Sequence, residues 1–513
     1  PRSPAEGALA RAWCSGLGLG EVSVRDNFFE LGGDSILSIQ VISRARQNGV
    51  GVTVKQMFEH QTIEALALVC TDVGGIASDQ GAVVGPVALT PIQHQFLSES
   101  DATRDHFNQS ALFDVPLGVD EATVRAIARG VMNHHDALRA RFVRAEDEGG
   151  WLQTFTGPLA SGGEAPVEVH DLRSAEDVEE AMNTLGDRAQ ASLDLEHGPI
   201  VRFVLFLCPE SRGRNALFVP VHHLSVDGVS WRVLGEDLQV AYDAVARALA
   251  LDGDAAGAAG AGQMLDAALV TRGDFGFAEK TNSFRQWSTM LGEYARATAG
   301  ELAAEASYWT DVVAKSNAAA GLPVGPSTDF GLESDSRHVE CVLDSALTAR
   351  LQRGVARYRA QMNDALVLAF AQSVGEWTAG DGEDAMNVPF TMEGHGREDI
   401  CDGIDVSRTV GWFTSVYPVV VRFERNTSGD VLLKRVKEQL RTIPKHGVGY
   451  GILRYLGTDE QQSALGPGVD EWRWGQASFN YLGQFGGSRE TGRDENDVDA
   501  LHDSASGALD GRV

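Results

Sequence analysis

A small all-helical unit followed by a larger, two-lobed α/β body is the architecture the sequence predicts, on three observations. Apolar stripes at helical spacing are confined to residues 1–72; a stretch poor in large side chains follows at 73–88; beyond it, strand-like and helical runs alternate. At roughly 150 residues per domain, 513 residues allow about three compact units, or one two-lobed body with a small module.

In the first unit Leu9, Ala12, Trp13 and Leu17 share one helix face, and Ile36, Ile39 and Ile42 form a second stripe. Val54 and Phe58 mark a third helix, and Thr62 stands where it would cap a fourth, ahead of IEALALV. Four short helices about one core satisfy this pattern. VGGIASDQGAVVGPVA (73–88) has the composition of a linker. In the body, FVLFL (203–207), ALFVPV (216–221) and SVYPVVVRF (415–423) read as strands, and residues 232–249 and 346–377 as helices. The low-complexity run DGDAAGAAGAGQ (252–263) is expected to be a loop or crossover between lobes of about 89–265 and 266–513.

Composition excludes several classes of function. With 72 acidic against 43 basic residues the formal charge is −29, which repels phosphate backbones and anionic lipid, so neither nucleic acid nor membrane is an expected partner. No apolar stretch approaches the ~20 residues of a membrane helix. The cysteines Cys14, Cys70, Cys208, Cys341 and Cys401 are odd in number and form no CxxC pair, which argues against a disulfide framework or zinc knuckle and suits a reducing cytoplasm. The start, PRSPAEGALARAW, lacks a signal peptide's basic and apolar regions and reads as cut from a longer polypeptide, and the end at ALDGRV is equally abrupt.

Two segments carry chemistry. In LGGDSILSIQ (31–40) the glycines permit a tight backbone, Asp34 is placed to cap the following helix, and Ser35 falls at its start with an exposed hydroxyl. In VPVHHLSVDGVSWR (219–232) two histidines end an apolar strand, ahead of Asp227 and Gly228 at a turn. Histidine takes and returns protons near neutrality, with an unperturbed pKa of about 6.5. Taken alone, such a pair is more often structural or metal-binding than catalytic, although no Cys/His/Glu cluster of zinc-motif spacing accompanies it.

DNFFELGGDS with SRARQNGV resembles the peptidyl carrier protein of nonribosomal peptide synthetases over nearly all of residues 1–72. The resemblance implies that Ser35 carries 4′-phosphopantetheine, and Asp34 is the form usual ahead of epimerization domains. Residues 222–228 resemble the HHxxxDG signature of condensation and epimerization domains, which share the chloramphenicol-acetyltransferase fold. By that match His223 is the catalytic histidine, while His222, Asp227 and Gly228 support it, with Asp227 pairing a cation.

Further segments resemble epimerization domains in order and spacing: PIQHQF (91–96), HFNQS (106–110), TMEGHGRE (391–398), RTVGWFTSVYPV (408–419), PKHGVGYGILRY (444–455) and FNYLGQF (479–485). They imply a 73–88 linker, an epimerization domain over 89–513, Glu393 acting opposite His223, Tyr481 as a further catalytic residue, and Asn480 lining the tunnel. Without the resemblance, Glu393 reads as a loop acid near Arg397, Tyr481 as a core tyrosine, His395 and His446 as loop residues, and Trp412 and Phe413 as packing or tunnel wall.

The implied reaction is epimerization at Cα of an aminoacyl or peptidyl thioester held on phosphopantetheine, by proton transfer without metal or pyridoxal phosphate. Implied partners are an upstream adenylation domain, a downstream condensation domain and a phosphopantetheinyl transferase. A peptide-bond-forming condensation domain and a non-catalytic docking scaffold are the alternatives. The acidic, Gly-rich residues 486–513 are shorter than the resemblance implies, so an incomplete C-terminus is expected.

Overall fold

The computed structural model describes residues 1–71, 77–99, 104–145, 150–160, 163–252, 275–297, 299–319, 322, 337–378, 385–401, 403–465 and 477–483. The predicted loop at 252–263 lies outside these residues apart from Asp252, and the acidic tail 486–513 lies wholly outside them.

The first unit consists of α1 (Pro4–Leu17), α2 (Ser35–Gln47), α3 (Val54–Glu59) and α4 (Ile63–Leu66). Each start is specified locally. Ser3 caps α1 with Pro4 in its first turn, Thr53 and Gln56 form a capping box on α3, and the Thr62 hydroxyl accepts the Ala65 N–H at α4, as its position predicts. Leu9, Trp13, Phe28, Ile39, Ile42 and Met57 pack into one core, with Trp13 edge-on to Phe28 at 5.1 Å.

The stretch read as a linker is bonded to the body from residue 77 onward. Gln80 exchanges hydrogen bonds with the Lys280 backbone, Val83 is buried in the body's core, and β1 (Gly85–Val87) is a sheet strand. Small residues there fit against a neighbouring surface, which composition does not distinguish from a free tether.

Two sheets build the first lobe. One has the order β1-β4-β3, with β3 (Ala140–Arg144) and β4 (Trp151–Phe155) antiparallel. The other runs β2 (Asn108–Val115), β7 (Asn215–His222), β6 (Phe203–Leu207), β5 (Val167–Asp171), with only β5 and β6 parallel. FVLFL is continuously apolar because both its faces are covered. Phe203 and Leu205 enter the main core, whereas Val204 and Phe206 meet Met182 and Ala189 of a flanking helix, Val178–Gln190.

The second lobe centres on β8 (Ala385–Gly394) and β9 (Ser415–Glu424), antiparallel over ten residue pairs, with β10 (Ser478–Phe479) parallel to β8. The predicted helix over 346–377 is two helices, Ser345–Arg357 and Met362–Thr378. Arg359 adopts φ 49°, and Asp364 accepts the Gln361 N–H to restart the chain. One apolar core runs through both lobes.

Candidate active site

Ser35 opens α2, and the Asp34 carboxylate accepts the Ile36 and Leu37 N–H groups at 2.9 and 2.7 Å. Gly32 sits at φ 97°, and a Cβ on Gly33 would lie 2.3 Å from the Phe28 ring, so this turn requires its glycines. With Asp34 holding the helix amides, the Ser35 hydroxyl has no hydrogen-bond partner among the described residues and borders an open cleft that Tyr481 also lines. A partly exposed serine at a helix start fits attachment of a phosphate-linked arm.

The first unit is seated on the body. Val229 enters its core, Arg44 pairs with Glu236 at 2.7 Å, Arg46 with Asp405 at 2.5 Å, and Asp399 accepts the Val54 N–H at 2.9 Å.

β7 ends at His222, and His223 opens a short turn. His222 is fully buried. Its Nδ1 accepts the Leu224 N–H, its Nε2 donates to the Arg104 carbonyl at 2.8 Å, and burial pushes its pKa down to about 3. His223 is half-buried between rings: Phe107 stacks on it at 4.9 Å, and Trp412 of the second lobe lies against it at 4.5 Å. The histidine therefore stands at the seam between lobes, and Trp412 is part of its wall. Burial lowers its pKa, opposed by nearby carbonyls and by Asp227, so it is neutral near pH 7.

Asp227 ties the two lobes together. Its carboxylate accepts from Arg397 at 2.9 and 3.1 Å, from the Ser230 amide and from the Phe413 amide, and Arg397 also donates to the Val406 and Thr409 carbonyls. Both partners of this inter-lobe pair are buried. Gly228 starts the helix Gly228–Asp252; a Cβ there would meet nothing within 4 Å, so space does not explain that glycine.

Glu393 is the penultimate residue of β8, and Arg397 is not its partner. Phe479 of β10 pairs with Met392, which brings Asn480 beside Glu393, where its amide donates at 2.8 Å. The glutamate is half-open to solvent yet crowded by protein, and this desolvation raises its pKa. Gly394, its neighbour, faces Ser415, three residues past Trp412, so Glu393 lies at the end of β8 nearest the Trp412 segment.

The Tyr481 hydroxyl donates to Asp34 at 3.3 Å, at the junction with the first unit, and burial followed by the Asp34 charge raises its pKa. Arg232 joins the junction, donating to the Leu482 carbonyl. His395 and His446 are not free loop residues, because both face the Glu398 carboxylate, at 3.3 and 2.9 Å.

Sequence reasoning passed over Gln109 and Trp231. The Gln109 amide nitrogen lies 2.9 Å from His223 Nε2, and the Trp231 indole donates to Gln109 Oε1 at 3.0 Å. HFNQS was visible, but only the β2–β7 pairing, with Asn108 opposite His222, shows what it faces. His134, His135 and Asp237 converge closely enough to hold a metal ion, yet Asp237 is committed to Arg408 at 2.7 Å and to His135 at 2.9 Å, which suits a cation poorly.

Residues 7–69 match the phosphopantetheine attachment site family, and residues 83–251 and 273–506, well over half of the chain, match the condensation domain family. The chain belongs to the condensation-domain family. Its condensation-type body has the two-lobed, chloramphenicol-acetyltransferase-like fold and follows a phosphopantetheine-bearing carrier domain.

Tyrocidine synthase 2 of Brevibacillus parabrevis is 36% identical over 493 residues, covering 96% of this chain and 12% of its own length. Surfactin synthase subunit 2 of Bacillus subtilis (strain 168) is 36% identical over 94% of this chain and 12% of its own. The chain thus spans 12% of the length of each of these relatives. Among solved structures, the epimerization domain from the third module of tyrocidine synthetase B is similar at 35% identity and TM-score 0.66, over 80% of this chain and 82% of that one. The first condensation domain of the CDA synthetase, at 18% identity and TM-score 0.52 over 73% of this chain and 80% of that one, shares the fold. No helix among the described residues is long and apolar enough to cross a membrane.

Proposed function

We propose that this condensation-type body is an epimerase, inverting Cα of an aminoacyl or peptidyl thioester carried on Ser35. The observation that carries the reading is the continuous line from carrier to seam: Asp34, beside Ser35, bonds Tyr481, and the adjacent Asn480 bonds Glu393. The similarity to a solved epimerization domain supports it, as does a carboxylate that burial keeps closer to neutrality than an exposed one.

Phosphopantetheine on Ser35 supplies the thioester, whose carbonyl acidifies the neighbouring Cα–H. Neutral His223 takes that proton at its unprotonated ring nitrogen and the C–H electron pair moves onto the carbonyl oxygen; as the carbonyl re-forms, Glu393 in its protonated form delivers a proton to Cα from the opposite face, and solvent then takes the proton from His223 and reprotonates Glu393. Phe107 and Trp412 hold the imidazole between their rings. Such acid–base catalysis contributes about 10²–10⁴-fold, and the seam's positioning adds to it. An upstream adenylation domain would load the carrier, a phosphopantetheinyl transferase would modify Ser35, and a downstream condensation domain would take the product, in a cytoplasmic assembly line.

The test loads Ser35 with an L-aminoacyl arm, releases it and separates enantiomers. A mixture of D and L is expected. Retained L configuration, with peptide bonds formed when an acceptor carrier is added, supports the condensation reading instead; retention with no product in either assay supports a scaffold.

A further inference from the structure

The Gln109 contact removes an ambiguity that histidines usually carry. An indole N–H only donates, so Trp231 fixes the Gln109 carbonyl oxygen on its own side and turns the amide NH₂ toward His223. An NH₂ group also only donates, so the His223 Nε2 at 2.9 Å must accept. In the neutral ring the proton then resides on Nδ1. Both intermediaries are held: Gln109 and Trp231 are 9% and 7% exposed, and the His223 backbone N–H is bonded to the Phe107 carbonyl at 2.9 Å.

We propose that Gln109 is a positioning residue that, oriented by Trp231, locks His223 in the Nδ1–H tautomer and makes Nε2 its basic nitrogen. The lock also disfavours imidazolium. A protonated Nε2 would present an N–H to the Gln109 N–H, so the amide must turn away whenever His223 holds a proton, and the proton is passed on rather than kept. Among the described residues the charge that acts on the ring is that of Asp227, already paired with Arg397; His222 is neutral, and Phe107, Trp412 and Trp231 carry no charge. The use of the basic nitrogen in Cα–H removal rests on the epimerase reading above, whereas the lock itself does not.

The experiment uses the whole chain with ¹⁵N-labelled histidine, and His223→Gln to assign the signal. Long-range ¹H–¹⁵N spectra near neutral pH should show His223 with a protonated Nδ1 and a pyridine-like Nε2. Gln109→Glu places a carboxylate where the amide donated, and should raise the His223 titration midpoint by about one unit or more. Trp231→Phe frees the amide to flip and should raise it by less.

With a loaded carrier, the acidic limb of Cα deuterium wash-in should move by the same amounts, whereas a merely structural loss lowers the rate equally at every pH. A protonated Nε2 in the unaltered protein, or Gln109→Glu and Trp231→Phe that both leave the titration in place, overturns the proposal. Tautomer and midpoint shifts as stated, with no Cα exchange even in the unaltered protein, uphold the lock and refute the epimerase reading.

Discussion

The two candidate site residues are held differently. His223 is gripped from both lobes, by the Phe107 carbonyl and ring, by Trp412 and by Gln109. Among the described residues the Glu393 side chain has one hydrogen bond, from exposed Asn480 just beyond a two-residue strand. On the proposed epimerase reading, the base would be preorganised and the opposing acid compliant, which would suit a site that must accept either configuration at Cα.

The strongest way to break this contrast is to loosen the rigid face. Arg397→Leu leaves Asp227 buried without its cation and should cost about 3–5 kcal/mol in denaturant unfolding, with much of that recovered on adding Asp227→Leu. An unchanged midpoint in the single variant would show that the pair does not join the lobes.

Acid loosens the same face through His222. Its folded pKa of about 3 lies below the unfolded value of 6.5, so the unfolded chain binds the extra proton. Its contribution is complete above pH 6.5 and is lost as pH falls toward about 3, at roughly 1.4 kcal/mol per pH unit. Unfolding midpoints measured from pH 7 to 4 should fall more steeply in the unaltered protein than in His222→Asn.

The compliant face responds less. Asn480→Leu removes the hydrogen bond that orients the Glu393 carboxyl, and inversion should slow by about fivefold, near 1 kcal/mol, as chiral analysis of the released substrate would read. Smallest is Tyr481→Phe. It removes one 3.3 Å bond to Asp34 and should weaken seating of the carrier about two- to threefold, measured by scattering from apo and loaded protein.

What the sequence disclosed follows the range of the interactions. Caps and covered strands are local, so Asp34, Thr62 and FVLFL were legible, and the histidine pair stands within one short signature beside its Asp227. Arg397, the cation that Asp227 meets, lies 170 residues away. The FNYLGQF motif singled out Tyr481 but does not name its partner, Asp34, which is 447 residues distant. Gln109 was passed over for the same reason, being 114 residues from the histidine it touches. The break at 358–361 escaped notice because Tyr358, Arg359, Ala360 and Gln361 include neither glycine nor proline.

The central claim, that His223 and Glu393 serve opposite faces of one Cα, is tested most directly by loading Ser35 with L or D substrate in deuterated water. The unaltered protein should give label and inversion together from either enantiomer. From L substrate, His223→Ala and Glu393→Gln should each abolish inversion, and one of them should still wash label into the retained configuration, which assigns its surviving partner to that face. Inversion at the normal rate in Glu393→Gln would contradict the account and return Glu393 to a structural acid.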